Sequence, residues 1–301
     1  MTPTSPPSKI RIAAAPISWG VCEVPGWGRV LDAPAVLGEM AELGIGATEL
    51  GPPGYLPRDP AELRTLLSGH GLSLIGGFLA VVLHENPDAA LAEAEESAAL
   101  FAACGAEVLV LAAATGLDGY DERPPLTDAE WATLIDTSAK VRDIAAKHGL
   151  RAVLHPHVGT HAETQAEVER FLADSDLPLC LDTGHLLIGG TDPVELAKRY
   201  PDRIGHLHLK DVRGALAEDV RTGKLPYQEA VGKGLYVPLG DGDVDLEALV
   251  RFVHEAGYDG WYVLEQDTAL SEESPPDLPK RDVARSLAHL NGIVSRLQAA
   301  E

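Results

Sequence analysis

Basic residues are scarce in this 301-residue sequence, in which 24 Lys and Arg face 46 Asp and Glu and give a formal net charge of −22. A protein that binds nucleic acid uses clustered Lys and Arg to displace counterions from phosphates, and the sequence contains no such cluster. An anionic membrane surface would repel the same charge. The shortage therefore excludes nucleic acid and membranes as partners and disfavours anionic ligands.

Long apolar runs and paired cysteines are also missing. No segment approaches the roughly 20 apolar residues needed to span a bilayer. The three cysteines (Cys22, Cys104 and Cys180) are far apart and form no Cys-x-x-Cys pair, so we expect reduced thiols in a cytoplasmic protein. The N-terminal segment lacks the apolar core of a signal peptide, and we interpret residues 1–9 as a disordered leader.

What the sequence does contain is a repeated alternation of short apolar runs with longer helix-patterned segments. The runs cover residues 10–17, 47–51, 72–79, 108–114, 151–157, 178–184, 204–211 and 260–266. Capping residues or prolines mark helix starts at Asp32, Asp59, Thr127 and Asp192. Apolar strands that alternate with helices are typical of parallel strands buried on both faces. Eight such units predict a single-domain (β/α)8 TIM barrel over residues 10–301.

Two further observations refine this prediction. A doubly wound nucleotide-binding sheet is disfavoured because no Gly-x-Gly-x-x-Gly follows the first apolar run. The connection over 212–244 is about thirty residues long, well above the usual two to six for such loops. It contains a candidate short helix over 214–221, and it is either a surface insertion or a long active-site loop; we adopt the second interpretation.

In a barrel of this kind the active site lies at the carboxyl ends of the strands, which is where many of the histidines fall. Six of the eleven histidines lie between residues 155 and 208, namely His155, His157, His161, His185, His206 and His208. Because side chains alternate along a strand, His155 and His157 share one face, as do His206, His208 and Lys210.

Two carboxylates join these imidazoles, since Asp182 lies near the end of the sixth apolar run and Glu265 near the end of the eighth. Four adjacent strands would therefore direct at least two imidazoles and two carboxylates into one space on the barrel axis. Uncompensated buried charge of this kind costs several kcal/mol, and a divalent cation is the usual compensation. The mixture of nitrogen and oxygen ligands suits Mn, Fe, Co or Zn better than Mg or Ca.

The motifs at these strand ends resemble those of the sugar isomerase and epimerase barrels related to xylose isomerase. Within that superfamily the sequence is most similar to the inosose dehydratases of inositol catabolism. The motifs are APISWG (15–20), TELG with YLPRDP (48–60), PLTDAEW (125–131), HPHVGT (155–160), LDTGH (181–185), HLHLKDVR (206–213), VPLGDGDVDL (237–246) and GWYVLEQD (260–267). They follow the family's order, at fitting spacing, through almost the whole chain.

The resemblance implies a divalent metal held by residues that end the fifth to eighth strands. The superfamily's Glu, Asp, His and Glu ligands correspond here to His155, Asp182, His208 and Glu265. His155 stands where the superfamily has Glu, and His157 on the same face is an alternative ligand. The loss of one negative charge would make the metal a stronger Lewis acid toward a neutral ketone.

The reaction that the resemblance implies is the dehydration of a keto-inositol such as 2-keto-myo-inositol (scyllo-inosose), by removal of an α-proton and loss of β-hydroxide. We assign catalysis to Glu49, His185 and Lys210, and substrate binding to His157, Arg213 and Trp19. The expected partner is a small neutral polyol ketone or sugar, and a homodimer or homotetramer is plausible for a barrel with this long loop.

Other functions are weighed against dehydration. An epimerase or isomerase on the same scaffold would return the proton instead of expelling hydroxide, and His155 in place of Glu favours dehydration over that alternative. A metal-dependent endonuclease would need a basic groove for DNA, which a net charge of −22 argues against. A non-catalytic sugar-binding barrel would not require a full set of metal ligands.

Overall fold

In the computed structural model, which describes residues 10–299, eight parallel strands form a ring that helices surround. The barrel strands are β1 (Arg11–Ala14), β2 (Ala47–Glu49), β3 (Ser73–Val81), β4 (Val108–Ala113), β5 (Arg151–Leu154), β6 (Leu179–Asp182), β7 (Ile204–Leu209) and β10 (Trp261–Leu264). Pairing of β10 with β1 closes the barrel. The predicted single-domain (β/α)8 fold is confirmed, and the predicted leader over residues 1–9 lies outside the described residues.

The helices within residues 10–299 are α1 (Ala33–Glu42), α2 (Pro60–Gly69), α3 (Pro87–Ala103), α4 (Asp128–Lys147), α5 (Gln165–Asp174), α6 (Thr183–Ile188), α7 (Pro193–Arg199), α8 (Gly214–Arg221), α9 (Tyr227–Gly232), α10 (Leu246–Glu255) and α11 (Leu278–Gln298). Four of them, α1, α2, α4 and α7, begin where capping residues predicted a helix start. The side chains of Asp32, Asp59 and Asp192 accept backbone N–H groups at their helix starts, and Thr127 forms a reciprocal capping box with Glu130. Within residues 10–299 no helix is both long and apolar enough to cross a membrane.

Most strands end before the apolar runs that predicted them, and β1 and β5 end earliest relative to theirs. The first run extends to residue 17, but β1 ends at Ala14 because Pro16 starts a 3-10 turn over Pro16–Trp19. The fifth run extends to residue 157, but β5 ends at Leu154, two residues before Pro156, which has no backbone N–H to donate to the sheet. His155 therefore lies just beyond its strand, at the mouth of the barrel.

Inside the barrel, the side chains of four strands (β2, β5, β6 and β10) change from apolar to polar toward the carboxyl end. One buried cluster contains Ala13, Ala15, Ala47, Ile75 and Val263, and another contains Val108, Val110, Val153 and Cys180. Two residues further along the chain, and so on the same face, Val153 is followed by His155, Cys180 by Asp182, Val263 by Glu265 and Ala47 by Glu49. The alternation thus places a polar layer directly beyond an apolar one.

The connection over 212–244, predicted as a long loop, contains two helices and two short strand segments. Short strands β8 (Asp211–Val212) and β9 (Tyr236–Val237) pair antiparallel, and α8 and α9 lie between them. The predicted helix over 214–221 is α8. The carboxylate of Asp211 accepts backbone N–H groups from Val212, Gly240, Gly242 and Val244, which ties the two ends of this insertion together.

Replacing Asp211 by Ala would leave those four backbone donors without their acceptor. We expect Asp211→Ala to lower the free energy of unfolding by about 2–3 kcal/mol, because a buried donor without a partner costs about 1–3 kcal/mol. Urea unfolding followed by circular dichroism measures the change. The control is Asp136→Ala in α4, where the exposed carboxylate pairs with Lys140 and little change is expected. Equal losses in the two variants would contradict this role of Asp211.

Candidate active site

Four polar side chains converge at the carboxyl ends of consecutive barrel strands. His155 follows β5, Asp182 ends β6, His208 lies in β7 and Glu265 follows β10. We call these residues the quartet. His155, Asp182 and His208 are buried and Glu265 is mostly so, with a side chain that is 11% exposed. The structure therefore places His155, and not His157, beside the other three predicted ligands.

The atoms of the quartet that can bind a metal lie close together. His155 Nε2 is 3.1 Å from His208 Nδ1 and 3.3 Å from Asp182 Oδ2. His208 Nδ1 is 3.6 Å from Asp182 Oδ2 and 2.8 Å from Glu265 Oε2. The four atoms all lie within 4.8 Å of one another.

These distances and the donor set fit a divalent ion. Ligand atoms about 2.1 Å from one ion lie about 3–3.5 Å from their neighbours, which is the spacing found here. Asp182 Oδ1 accepts the backbone N–H of His185, whereas Oδ2 is buried and accepts no hydrogen bond from any residue that the structure describes. An orphaned carboxylate oxygen that faces two imidazoles is the arrangement expected of a metal ligand.

Lys210 brings a positive charge to the same place. Its Nζ lies 2.6 Å from Asp267 Oδ1, 3.2 Å from Glu265 Oε2 and 3.5 Å from Asp182 Oδ2. Burial by itself lowers the pKa of Lys210, but the three carboxylates outweigh it and hold that pKa well above its usual value. Lys210 is therefore a buried ammonium group.

A ring of hydrogen bonds holds this ammonium group. Lys210 Nζ donates to His185 Nε2 at 3.0 Å and to Asp267. Tyr227 Oη donates to Asp267 Oδ2 at 2.6 Å and lies 2.9 Å from Tyr236 Oη, which is 3.4 Å from His185 Nδ1. Burial lowers the pKa of His185 well below its usual value, so the imidazole is neutral.

His157 lies against this ring rather than in the quartet. Its ring centroid is 3.7 Å from that of His185, and its Nδ1 donates to the carbonyl oxygen of Val158 at 2.6 Å. Burial lowers the pKa of His157 to about 3, so this imidazole is neutral as well. Its Nε2 consequently carries the lone pair.

A cavity of about 110 Å³ borders part of the quartet, His157 and Lys210. Its polar lining is Glu23, Glu49, His155, His157, His208, Lys210, Glu265 and Asp267, and its apolar lining includes Pro16, Ile17, Val21, Trp27, Phe78 and Tyr120. A larger cavity of about 370 Å³ lies at the opposite end of the barrel, around Arg151, Asp202 and Tyr258, away from the quartet.

Two residues predicted to bind substrate do not reach the cavity. Trp19 is fully buried, and its indole N–H donates to Glu39 of α1 at 2.8 Å, because the 3-10 turn directs the ring into the helical layer. Arg213 is exposed, and its guanidinium donates to the carbonyl oxygen of Gly234 within the insertion. Neither side chain lines the cavity, and both make their contacts within the surrounding scaffold.

Glu49 lines the cavity, but its Oε1 is occupied by two imidazoles. His206 Nε2 lies 2.8 Å away and His208 Nε2 lies 3.0 Å away. Burial raises the pKa of Glu49, but the charge of His208 and the two hydrogen bonds outweigh it and lower that pKa far below its usual value. Glu49 is thus a carboxylate anchored within the barrel.

Three residues of the site were absent from our sequence assignments. Asp267 lies two residues after Glu265 in the same motif. Extending the alternation of β10 past its end would therefore have indicated Asp267 as a site residue. Tyr227 and Tyr236 come from the insertion, and no spacing in the sequence relates them to the strand ends.

Known proteins share this architecture. A family model described as a xylose isomerase-like TIM barrel matches residues 37–291. The chain is 35% identical to an inosose dehydratase of Geobacillus kaustophilus, over 93% of this chain and 96% of that protein. It is 32% identical to an inosose dehydratase of Geobacillus thermodenitrificans, over 94% and 99% of the respective chains.

Solved structures agree on the fold. An L-ribulose 3-epimerase superposes with a TM-score of 0.69 at 17% identity, over 97% of each chain. A probable 3-DHS dehydratase from Bacillus anthracis superposes with a TM-score of 0.67 at 17% identity, over 93% of this chain and 99% of that one. At such identities the likeness shows the barrel alone.

Lys210→Met tests the charge balance of the site. The variant removes the ammonium group from among Asp182, Glu265 and Asp267, and we expect the metal-free protein to lose about 3–5 kcal/mol of unfolding free energy near neutral pH. The unpaired carboxylates would have pKa values above those of the unfolded chain, so stability should return as the pH falls and they become protonated. Urea unfolding in chelator at several pH values measures this.

The control for this prediction is Lys198→Met, which removes an exposed lysine paired with Glu195. It should change neither the stability nor its pH dependence appreciably. A loss for Lys210→Met that does not vary with pH would contradict the charge balance described here.

Proposed function

The chain belongs to the xylose isomerase-like TIM-barrel family and has inosose dehydratases as relatives at 30–35% identity, and from this premise we propose that it dehydrates a cyclic polyol ketone. One observation in this structure supports the proposed reaction independently of family membership. Three members of the quartet (His155, His208 and Glu265) and the buried Lys210 ammonium group border one cavity, so a group that polarises a ketone and a group that donates a proton can act on one substrate.

We infer that His155, Asp182, His208 and Glu265 hold a single divalent ion. Two imidazoles with two carboxylates suit Mn, Fe, Co or Zn. When bound, such an ion supplies Lewis acidity at the ketone oxygen, where negative charge develops as the α-proton leaves. The two carboxylates balance the two positive charges of the ion.

The lining of the cavity favours a neutral substrate. Lys210 is the one Lys or Arg among the described lining residues, and carboxylates already surround it. A phosphorylated sugar would need further cations to hold its phosphate. The polar side chains suit the hydroxyl groups of a polyol, and 2-keto-myo-inositol is therefore the substrate we propose.

Dehydration needs one group that accepts the α-proton and another that gives a proton to the departing β-hydroxyl group. We assign the donor role to Lys210, the buried ammonium group that lines the cavity. We assign the acceptor role to His157, whose Nε2 is unprotonated because Nδ1–H is bonded to Val158. His185 and Asp267 hold Lys210 in place.

A spectroscopic assay tests this function. Metal-free protein is mixed with 2-keto-myo-inositol, and Mn, Co, Zn or Fe is then added in separate reactions. We expect ultraviolet absorbance to rise with at least one metal, because loss of water gives a conjugating dione or enol. A change in optical rotation without new absorbance would instead identify an epimerase.

Asp182→Asn is the variant that links turnover to the quartet. It should lose both the bound metal, measured by elemental analysis, and the absorbance change. Asp136→Asn, which alters an exposed carboxylate of α4, should keep both. Turnover that survives thorough removal of metal would refute the assignment of the quartet.

A further inference from the structure

Glu49 and His206 form a second polar group directly beside the quartet, and the proton transfers proposed above do not use it. Glu49 is 3% exposed and His206 is fully buried. His206 lies two residues before His208 on the same face of β7, so its ring lies deeper in the barrel. His206 does not line the cavity.

His208 connects this group to the quartet through its two ring nitrogens. Nδ1 faces His155, Asp182 and Glu265, whereas Nε2 lies 3.0 Å from Glu49 Oε1. With a metal bound in place of a proton on Nδ1, Nε2–H would donate to the carboxylate and Nδ1 would direct its lone pair at the quartet. One hydrogen bond thus determines both the orientation of the ring and the nitrogen that is presented.

Glu49 is itself held in position from across the barrel. It ends β2, and β1 and β10 separate that strand from β7 around the ring. The carboxylate therefore reaches through the barrel interior to its partners. His206 Nε2, 2.8 Å from the same Oε1, holds this oxygen between the two imidazoles.

We propose that Glu49 is a positioning residue that orients His208 toward a bound metal, and that His206 in turn positions Glu49. This inference presupposes that the quartet holds a metal, as in the proposed function, and it replaces the catalytic role predicted for Glu49 from the sequence. A histidine ligand commonly donates its second N–H to a carboxylate, and loss of that partner typically lowers metal affinity 10- to 100-fold.

The atoms of Glu49, His206 and His208 are also close enough to hold an ion of their own. We favour positioning because this group supplies a single carboxylate, whereas the quartet supplies two to balance the charge of a divalent ion. In addition, His206 lies away from the cavity, where an ion would have no access to substrate. The stoichiometry of metal binding distinguishes the two arrangements.

The test compares metal affinity in Glu49→Gln, which keeps the size of the side chain, and His206→Gln. Competition for Mn²⁺ with a fluorescent chelator should show affinities about 10- to 100-fold below wild type. At saturating Mn²⁺, turnover of 2-keto-myo-inositol should recover, because neither residue carries a proton in the reaction. His84→Gln, which alters a buried imidazole that packs on His161 outside the quartet, should keep the wild-type affinity.

Unfolding measured in excess chelator distinguishes a variant that binds metal weakly from one that does not fold. If Glu49→Gln does not fold, the test uses His206→Gln alone. Unchanged Mn²⁺ affinity with turnover that stays low at saturating metal would show that Glu49 is a proton carrier and overturn the proposal. Two Mn²⁺ per wild-type chain, with one lost in Glu49→Gln, would overturn it as well. If wild type binds Mn²⁺ but does not dehydrate keto-inositol, the proposed reaction fails, and the affinity comparison still decides the role of Glu49.

Discussion

Buried negative charge at the carboxyl ends of β6 and β10 is the constraint on which the rest of the site depends. Asp182 and Asp267 are buried and Glu265 is mostly so, and unpaired carboxylates are strongly unfavourable there. Lys210 compensates part of this charge by direct contact with all three. The imidazoles of His155 and His208, together with the orphaned oxygen of Asp182, make a divalent ion the natural compensation for the remainder.

The barrel makes this concentration of charge possible through a simple layering. Small and β-branched residues fill the interior where the strands begin, and polar residues follow on the same face two positions later. The insertion over 212–244 completes the arrangement from outside the strands, because Tyr227 and Tyr236 close the hydrogen-bond ring around Lys210. The apolar residues that fill the barrel and the polar residues that form the site thus occupy successive layers of one fold.

Most of this organisation could be predicted from sequence, because it depends on local patterns. The apolar runs marked the eight strands, the capping residues marked helix starts, and strand alternation brought Asp182, His208 and Glu265 together. Side chains outside regular strands were less predictable. The direction of Trp19 depends on a 3-10 turn, and the contacts of Arg213 depend on how the insertion folds back. The partners of Glu49 lie across the barrel, where no sequence spacing relates them.

We propose that one divalent ion binds at the quartet, with His208 facing it through Nδ1. Anomalous X-ray diffraction from crystals of the protein grown with Mn²⁺ tests this most directly. We expect one anomalous peak per chain, bonded to His155, Asp182, His208 and Glu265, with His208 Nε2 still turned toward Glu49. A peak bonded to His157, or one located between Glu49 and His206, would contradict it.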